Sequence, residues 1–195
     1  MTGEPLLHRA GRASEPTKGP GGVAASVPDL ETVYAQHAGF VWRVLRGMGV
    51  EESSVPDAVQ DVFIVVHRRY AEFDHRCKVS TWLFEIAYRV ASDYRRKHTR
   101  ARRVFAPHES DVEAAEARRP DDHAQQNEEV RVLVQLLGRL DEDKRAVLVL
   151  SEIEGMTAVE IAEATQTNLN TVYSRLRRAR DEFNQLVAAH ERRRK

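Results

Sequence analysis

Residues 157–180 read TAVEIAEATQTNLNTVYSRLRRAR, and this stretch decides the fold. Thr157 and Glu160 form a capping box, Ser/Thr-x-x-Glu, in which each side chain satisfies a free backbone N–H of the other residue. It opens a short helix carrying Val159, Ile161, Ala162 and Thr165. Gln166 and Thr167 make a turn. Asn168 caps a second helix, with Leu169, Val172, Leu176, Ala179 and Phe183 turned inward. A small residue in mid-helix, a short turn, and an apolar residue at the fourth position of the next helix are the marks of a helix-turn-helix. The free face of the second helix bears Asn170, Thr171, Ser174, Arg175 and Arg178. The major groove admits one α-helix, whose N-terminal residues reach base edges. Arg175 is therefore expected on a base edge or adjacent phosphate, and Arg177, Arg178 and Arg180 mainly on phosphates. A plain helical hairpin with a basic surface would share the arginines, but not cap, small residue and turn in one register.

Upstream, Val130, Leu133, Val134, Leu136, Leu137 and Leu140 follow helical spacing. Asp141 can cap a following helix with Ala146, Val147, Leu150 and Ile153 on its apolar side. Gly155 then supplies the left-handed residue that ends it. Further upstream, residues 30–48 form a helix with Val33, Phe40, Val41, Val44 and Leu45 facing a core. Ser53 or Ser54 can cap the next helix, with Pro56 in its first turn. That helix has two faces. Ala58, Val59, Val62, Phe63, Val66 and Tyr70 form a core stripe, while Asp57, Gln60, Asp61, Ile64 and Arg68 point elsewhere. A loop from Glu72 to Val79 leads to a third helix, capped by Ser80, with Leu83, Ile86, Ala87, Val90 and Tyr94 inward.

No strand-like alternation of useful length and no repeat occurs, so the chain reads as all-α, two small helical domains joined by a flexible linker. Residues 1–28, rich in Gly and Pro, read as a disordered tail. Residues 29–103 form the first domain, 104–126 an acidic linker, 127–189 the second domain, and 190–195 a basic tail. The formal net charge of zero is a sum of unlike blocks. Six basic residues and no acids lie from Arg95 to Arg103; seven acids and two bases follow from Val104 to Glu128; four arginines and no acids lie from Asn170 to Arg180. Two basic patches on predicted helices point to nucleic acid. The single cysteine, Cys77, excludes an internal disulfide and a cysteine-based zinc cluster, which fits a reducing cytoplasm. No apolar run approaches the roughly 20 residues of a membrane helix. No histidine pair at metal spacing, phosphate-binding glycine loop or nucleophile elbow is present, so neither an enzyme, nor a small-molecule substrate, nor a cofactor is expected.

Taken together, Asp57-Ala-Val-Gln60-Asp61-Val-Phe63, Ser80-Thr-Trp82-Leu83-Phe84-Glu-Ile86-Ala87 and the basic helix end resemble region 2 of bacterial sigma factors. The short chain is similar to the extracytoplasmic-function class, group IV of the sigma-70 family. Leu140-Asp-x-x-x-Arg145-Ala-Val-Leu148-Val-Leu150, Thr157-Ala-x-Glu160-Ile161-Ala162-Glu163 and Thr171-Val172-x-Ser174-Arg175-Leu176-x-Arg178-Ala179-Arg180 resemble region 4. The resemblance covers about residues 30–103 and 127–187.

It implies a factor that binds core RNA polymerase through its beta and beta-prime subunits, melts −10 DNA with region 2 and reads −35 DNA with region 4. The stripe Asp57, Gln60, Asp61, Ile64 and Arg68 would dock on the polymerase clamp helices. Phe73, Lys78, Trp82, Tyr88, Arg89, Arg95 and Arg96 would receive the opened −10 strand, with Phe84 nearby, because aromatic faces and cations hold unstacked bases. Asn170, Thr171, Ser174, Arg175, Arg177 and Arg178 would meet the −35 element. An anti-sigma partner, membrane-bound or soluble, would hold the factor inactive. The sequence departs from the family in the turn, where Gln166 stands for a usual glycine, Thr167 for an aliphatic residue and Asn170 for a small one. A positive φ at Gln166 would cost about 1 kcal/mol. Two other readings use the same helices: a helix-turn-helix regulator that never joins polymerase, and a helical adaptor that binds only protein. The first leaves the stripe on the second helix unexplained, and the second leaves the arginines of the last helix unexplained.

Overall fold

The computed structural model describes residues 29–74, 76–105 and 122–194. The expected tail 1–28 and residues 106–121 of the expected linker lie outside them. Among the described residues helix is the only regular secondary structure. Helix α1 spans Leu30–Gly47, and Asp29 caps it by accepting the Thr32 N–H at 2.7 Å. Helix α2 spans Val55–Arg69 and α3 spans Val79–Phe105. Val33, Val41, Val44 and Leu45 of α1, Val62 and Val66 of α2, and Leu83 and Ala87 of α3 are fully buried where the three helices pack on one another.

In the second half, α4 spans Asp122–Leu137, α5 Glu142–Leu148, α6 Ala158–Ala164 and α7 Leu169–Arg194. Asp141 caps α5 through the Lys144 N–H at 2.9 Å. The capping box closes in both directions: the Glu160 N–H donates to Thr157 Oγ1 and the Thr157 N–H to Glu160 Oε2. Gly155 takes φ +65° and Gln166 takes φ +52°, so the turn holds its non-glycine residue in the left-handed region. Asn168 Oδ1 accepts the Asn170 N–H at 2.8 Å at the start of α7.

Several local expectations are corrected. Ser54 precedes α2 but makes no side-chain cap, because Glu52–Ser54 is already wound as a 3₁₀ turn. Ser80 does not cap α3, which begins one residue earlier. Val130 and Leu133 are exposed, since α4 buries only its last turn, Leu136 and Leu137. Leu169, at the first position of α7, is more than a third exposed. The last five residues of α7, expected as tail, stay helical to Arg194. After α5 the backbone widens into a π-helical stretch, Val149–Ile153, which the apolar spacing did not reveal.

The two halves pack against each other. Gly47, at the end of α1, lies so close to Val149 that an added Cβ would sit 2.9 Å from its Cγ2. Arg43 forks onto Glu154 with bonds of 2.9 and 2.7 Å, and the Glu154 side chain is only 3% exposed. Arg145 of α5 is buried. It donates to the carbonyls of Met48 (2.9 Å), Gly138 (2.9 Å) and Leu140 (2.9 Å). No described helix is long and apolar enough to cross a membrane.

Candidate nucleic-acid interface

The recognition helix owes its placement to Val172, Leu176 and Ala179, which are buried and fix its rotation. That rotation leaves Asn170, Ser174, Arg177 and Arg178 exposed and Thr171 half-buried. Ser174 Oγ donates back to the Thr171 carbonyl at 2.9 Å. Arg175 lies on the flank: it pairs with Asp143 of α5 at 2.6 Å and is 27% exposed. Arg180 is held at 2.6 Å by Glu152 of the π-helical stretch, which gives it an intramolecular partner that a phosphate would have to displace.

The residues expected to hold the −10 strand are strung along α3 and the loop before it and differ in access. Phe73 and Trp82 stack on each other with ring centroids 4.8 Å apart, and both are more than nine-tenths buried. Tyr88 is half-buried, and its phenol is pushed up to about 12, first by burial and then by the charge of Glu142. Arg89 is exposed and pairs with Glu85 at 2.6 Å, one turn back along α3. Arg96 pairs with Asp93 at 2.7 Å. Lys78 and Arg95 reach across to the second half. Lys78 pairs with Glu160, and Arg95 pairs with Glu142 while donating to the Met48 carbonyl at 2.8 Å. The Glu160 carboxyl is drawn down to about 2, chiefly by the Lys78 hydrogen bond and then by the Thr157 N–H and hydroxyl.

Asp57, Gln60, Asp61, Ile64 and Arg68 are all exposed, as their spacing on α2 predicts. Gln60, Ile64 and Arg68 border a groove of about 550 Å³ that Leu30, Tyr34 and His67 also line. Ile64 and Tyr34 are 41% and 51% exposed. Tyr34 sets its ring edge-on to Phe63 with centroids 4.7 Å apart. The sequence reading missed Tyr34, although its i, i+4 spacing from Leu30, off the core stripe of α1, is the signal that finds it. Asp61 turns toward α3 and accepts the Tyr94 hydroxyl at 2.8 Å, so it also helps to join α2 to α3. The acids Asp143, Glu142 and Glu160, which face the expected DNA-binding cations, were also missed. Only the tertiary fold brings them there. Among the described residues no group of His, Cys, Asp or Glu could hold a metal ion.

A family model described as Sigma-70 region 2 matches residues 33–101, and one described as Sigma-70, region 4 matches residues 131–183. RNA polymerase sigma factor NccH of Alcaligenes xylosoxydans xylosoxydans is 32% identical over 160 residues, covering 80% of this chain and 85% of its own. The ECF RNA polymerase sigma factor SigX of Bacillus subtilis is 30% identical over 138 residues, 69% of this chain and 71% of its own. A solved structure of CnrH in complex with the cytosolic domain of CnrY superposes with a TM-score of 0.64 at 26% identity, covering 82% of this chain and 88% of that one. The sigma factor RpoE, solved with the anti-sigma factor NepR from Bartonella quintana, shares the fold with a TM-score of 0.63 at 19% identity, over 82% and 97% of the two chains.

Proposed function

The chain belongs to the sigma-70 family of RNA polymerase sigma factors, in its extracytoplasmic-function class, and on that premise we propose that it brings core polymerase to promoters through two exposed faces. One is the α2 groove, where Gln60, Ile64 and Arg68 are exposed beside Tyr34; it suits the clamp surface of the beta and beta-prime subunits. A mixed polar rim around an accessible aliphatic centre is the composition of a reversible protein interface. The other is the start of α7, where Asn170, Ser174, Arg177 and Arg178 stand clear for the −35 major groove. The −10 strand falls to Lys78, Tyr88, Arg89, Arg95 and Arg96, with Phe73 and Trp82 once their stack opens. Residues 29–103 would then act as region 2 and 127–189 as region 4.

The chain's part is binding and strand separation rather than catalysis, and its site of action is the cytoplasm, where polymerase and promoter lie. Control by an anti-sigma protein belongs to the same reading, and it is supported by CnrH, whose structure was solved with the cytosolic domain of CnrY. The observation that carries the proposal is the exposed α2 stripe, because a regulator acting without polymerase has no use for it. Gel filtration with core polymerase tests it, followed by run-off transcription on DNA fragments recovered with the complex. Co-migration and specific transcripts are expected; DNA binding without co-migration would favour the free-standing regulator.

A further inference from the structure

Tyr173 stands among the side chains that α7 offers to duplex DNA, although a reading of that helix for polar residues passes it over. Burial of Val172, Leu176 and Ala179 turns Asn170, Tyr173, Ser174, Arg177 and Arg178 outward. Tyr173 is 57% exposed, more than any other large apolar side chain among the described residues. Its ring and hydroxyl have no stacking or hydrogen-bond partner among those residues. Nor is it a lone surface aromatic. Leu169, one turn earlier on the same side, is also more than a third exposed, so the two form an apolar strip. No acid lies from Asn170 to Arg180, and the strip is framed by cations and small polar groups. An apolar protein surface would leave those arginines unpaired, whereas a duplex meets them with phosphates.

We propose that Tyr173 is a specificity-determining residue of the −35 contact, with its ring laid on the 5-methyl group of a thymine in the major groove. This deepens the sigma-factor reading and rests on it for the identity of the DNA. The thymine methyl is the one apolar group on a major-groove edge, and the hydrogen-bonding groups of arginine, serine and asparagine do not report it. Tyr173 is the fifth residue of α7, within the N-terminal part of a recognition helix that reaches base edges. Arg175, two positions on, is held at 2.6 Å by Asp143, while nothing among the described residues has to be displaced from the Tyr173 ring.

The test begins with core polymerase carrying the full chain, which selects its preferred sequences from a pool of random duplexes. Each thymine of a selected duplex is then replaced singly by deoxyuridine, which removes the methyl and keeps every hydrogen-bonding group. The parent should lose about fourfold in affinity at one thymine of the upstream element, the worth of one buried methylene-sized group. Tyr173→Ala should lose at least as much on the unmodified duplex and be indifferent to that replacement. Tyr173→Phe keeps the ring and should keep the sensitivity. A parent insensitive to every replacement, or a Tyr173→Ala chain as sensitive as the parent, overturns the proposal. So does a Tyr173→Phe chain as indifferent as Tyr173→Ala, since the hydroxyl would then be the contact. A chain that does not assemble with core polymerase sinks the sigma-factor reading instead. The selection is then repeated with the full chain alone, and the methyl result stands or falls separately.

Discussion

The start of α7 and the surface along α3 with the loop before it are both expected to touch DNA, yet they meet solvent differently. On α7 the polar side chains Asn170, Ser174, Arg177 and Arg178 stand exposed on a helix fixed by three buried apolar residues. At α3 the aromatic pair is buried in its own stack and two cations are spent on carboxylates from the other half. The difference suits the tasks. A helix that reads intact duplex can be finished before DNA arrives. A surface for a separated strand is useful only once the strand exists, and here its two rings are stacked on each other and two of its cations are paired.

The contrast depends on the halves being clasped, and the largest expected effect strikes the clasp. Arg145→Ala strips donors from the carbonyls of Met48, Gly138 and Leu140 and leaves a hole. It should cost about 3 kcal/mol in urea denaturation, since unsatisfied buried groups carry their full desolvation penalty. A loss below about 1 kcal/mol would mean the halves hardly touch. Next comes α7 itself. Arg175→Ala should cost about 1–3 kcal/mol on a cognate −35 duplex and less on a scrambled one where Arg175 exchanges Asp143 for DNA, whereas Arg178→Ala should weaken both alike and lower the salt slope by about one. Equal losses from Arg175→Ala would leave Asn170 and Thr171 as the readers.

A smaller effect checks that the polymerase face is separate from either DNA surface. Ile64→Ala should weaken core polymerase binding by about 1–2 kcal/mol and leave duplex affinity unchanged. Asp61→Arg is the cruder probe, because it also breaks the bond to Tyr94. In the turn before α7, Gln166→Gly should stabilise the chain by about 0.5–1 kcal/mol, relieving a positive φ at some cost in chain entropy. The faintest signal is acid. The Glu160 carboxyl sits below its ordinary 4.5, at about 2, so its contribution is whole above pH 4.5 and is lost as pH falls toward 2. A Glu160→Gln chain should lose less stability over that window than the parent, the remaining loss falling to Asp29, Asp141 and Glu152, which are also held below their ordinary values; equal losses in the two chains would clear Glu160 of the acid response.

Most of the fold was legible because helical spacing and caps are local. Val33 through Leu45 announced α1, and Thr157 with Glu160 announced α6, because each signal lies within a few residues. The exposed stripe of α2 could be read the same way. The pairing of Lys78 with Glu160 could not, since 82 positions separate them and no periodicity links them. Nor could the stacking of Phe73 on Trp82, nine positions apart. Val130 and Leu133 misled for the converse reason: a regular apolar stripe says that a face can be covered, not that a partner within the same chain covers it.

Gly47 sets compactness and folding against each other. Glycine is a poor helix residue, and alanine there would firm α1 by about 1 kcal/mol. The same methyl group would press on Val149 across the seam and act as a wedge. Larger side chains at this one position would keep part of that helical gain while the two halves progressively lose their fit. Thermal stability would no longer report how tightly the molecule is shut.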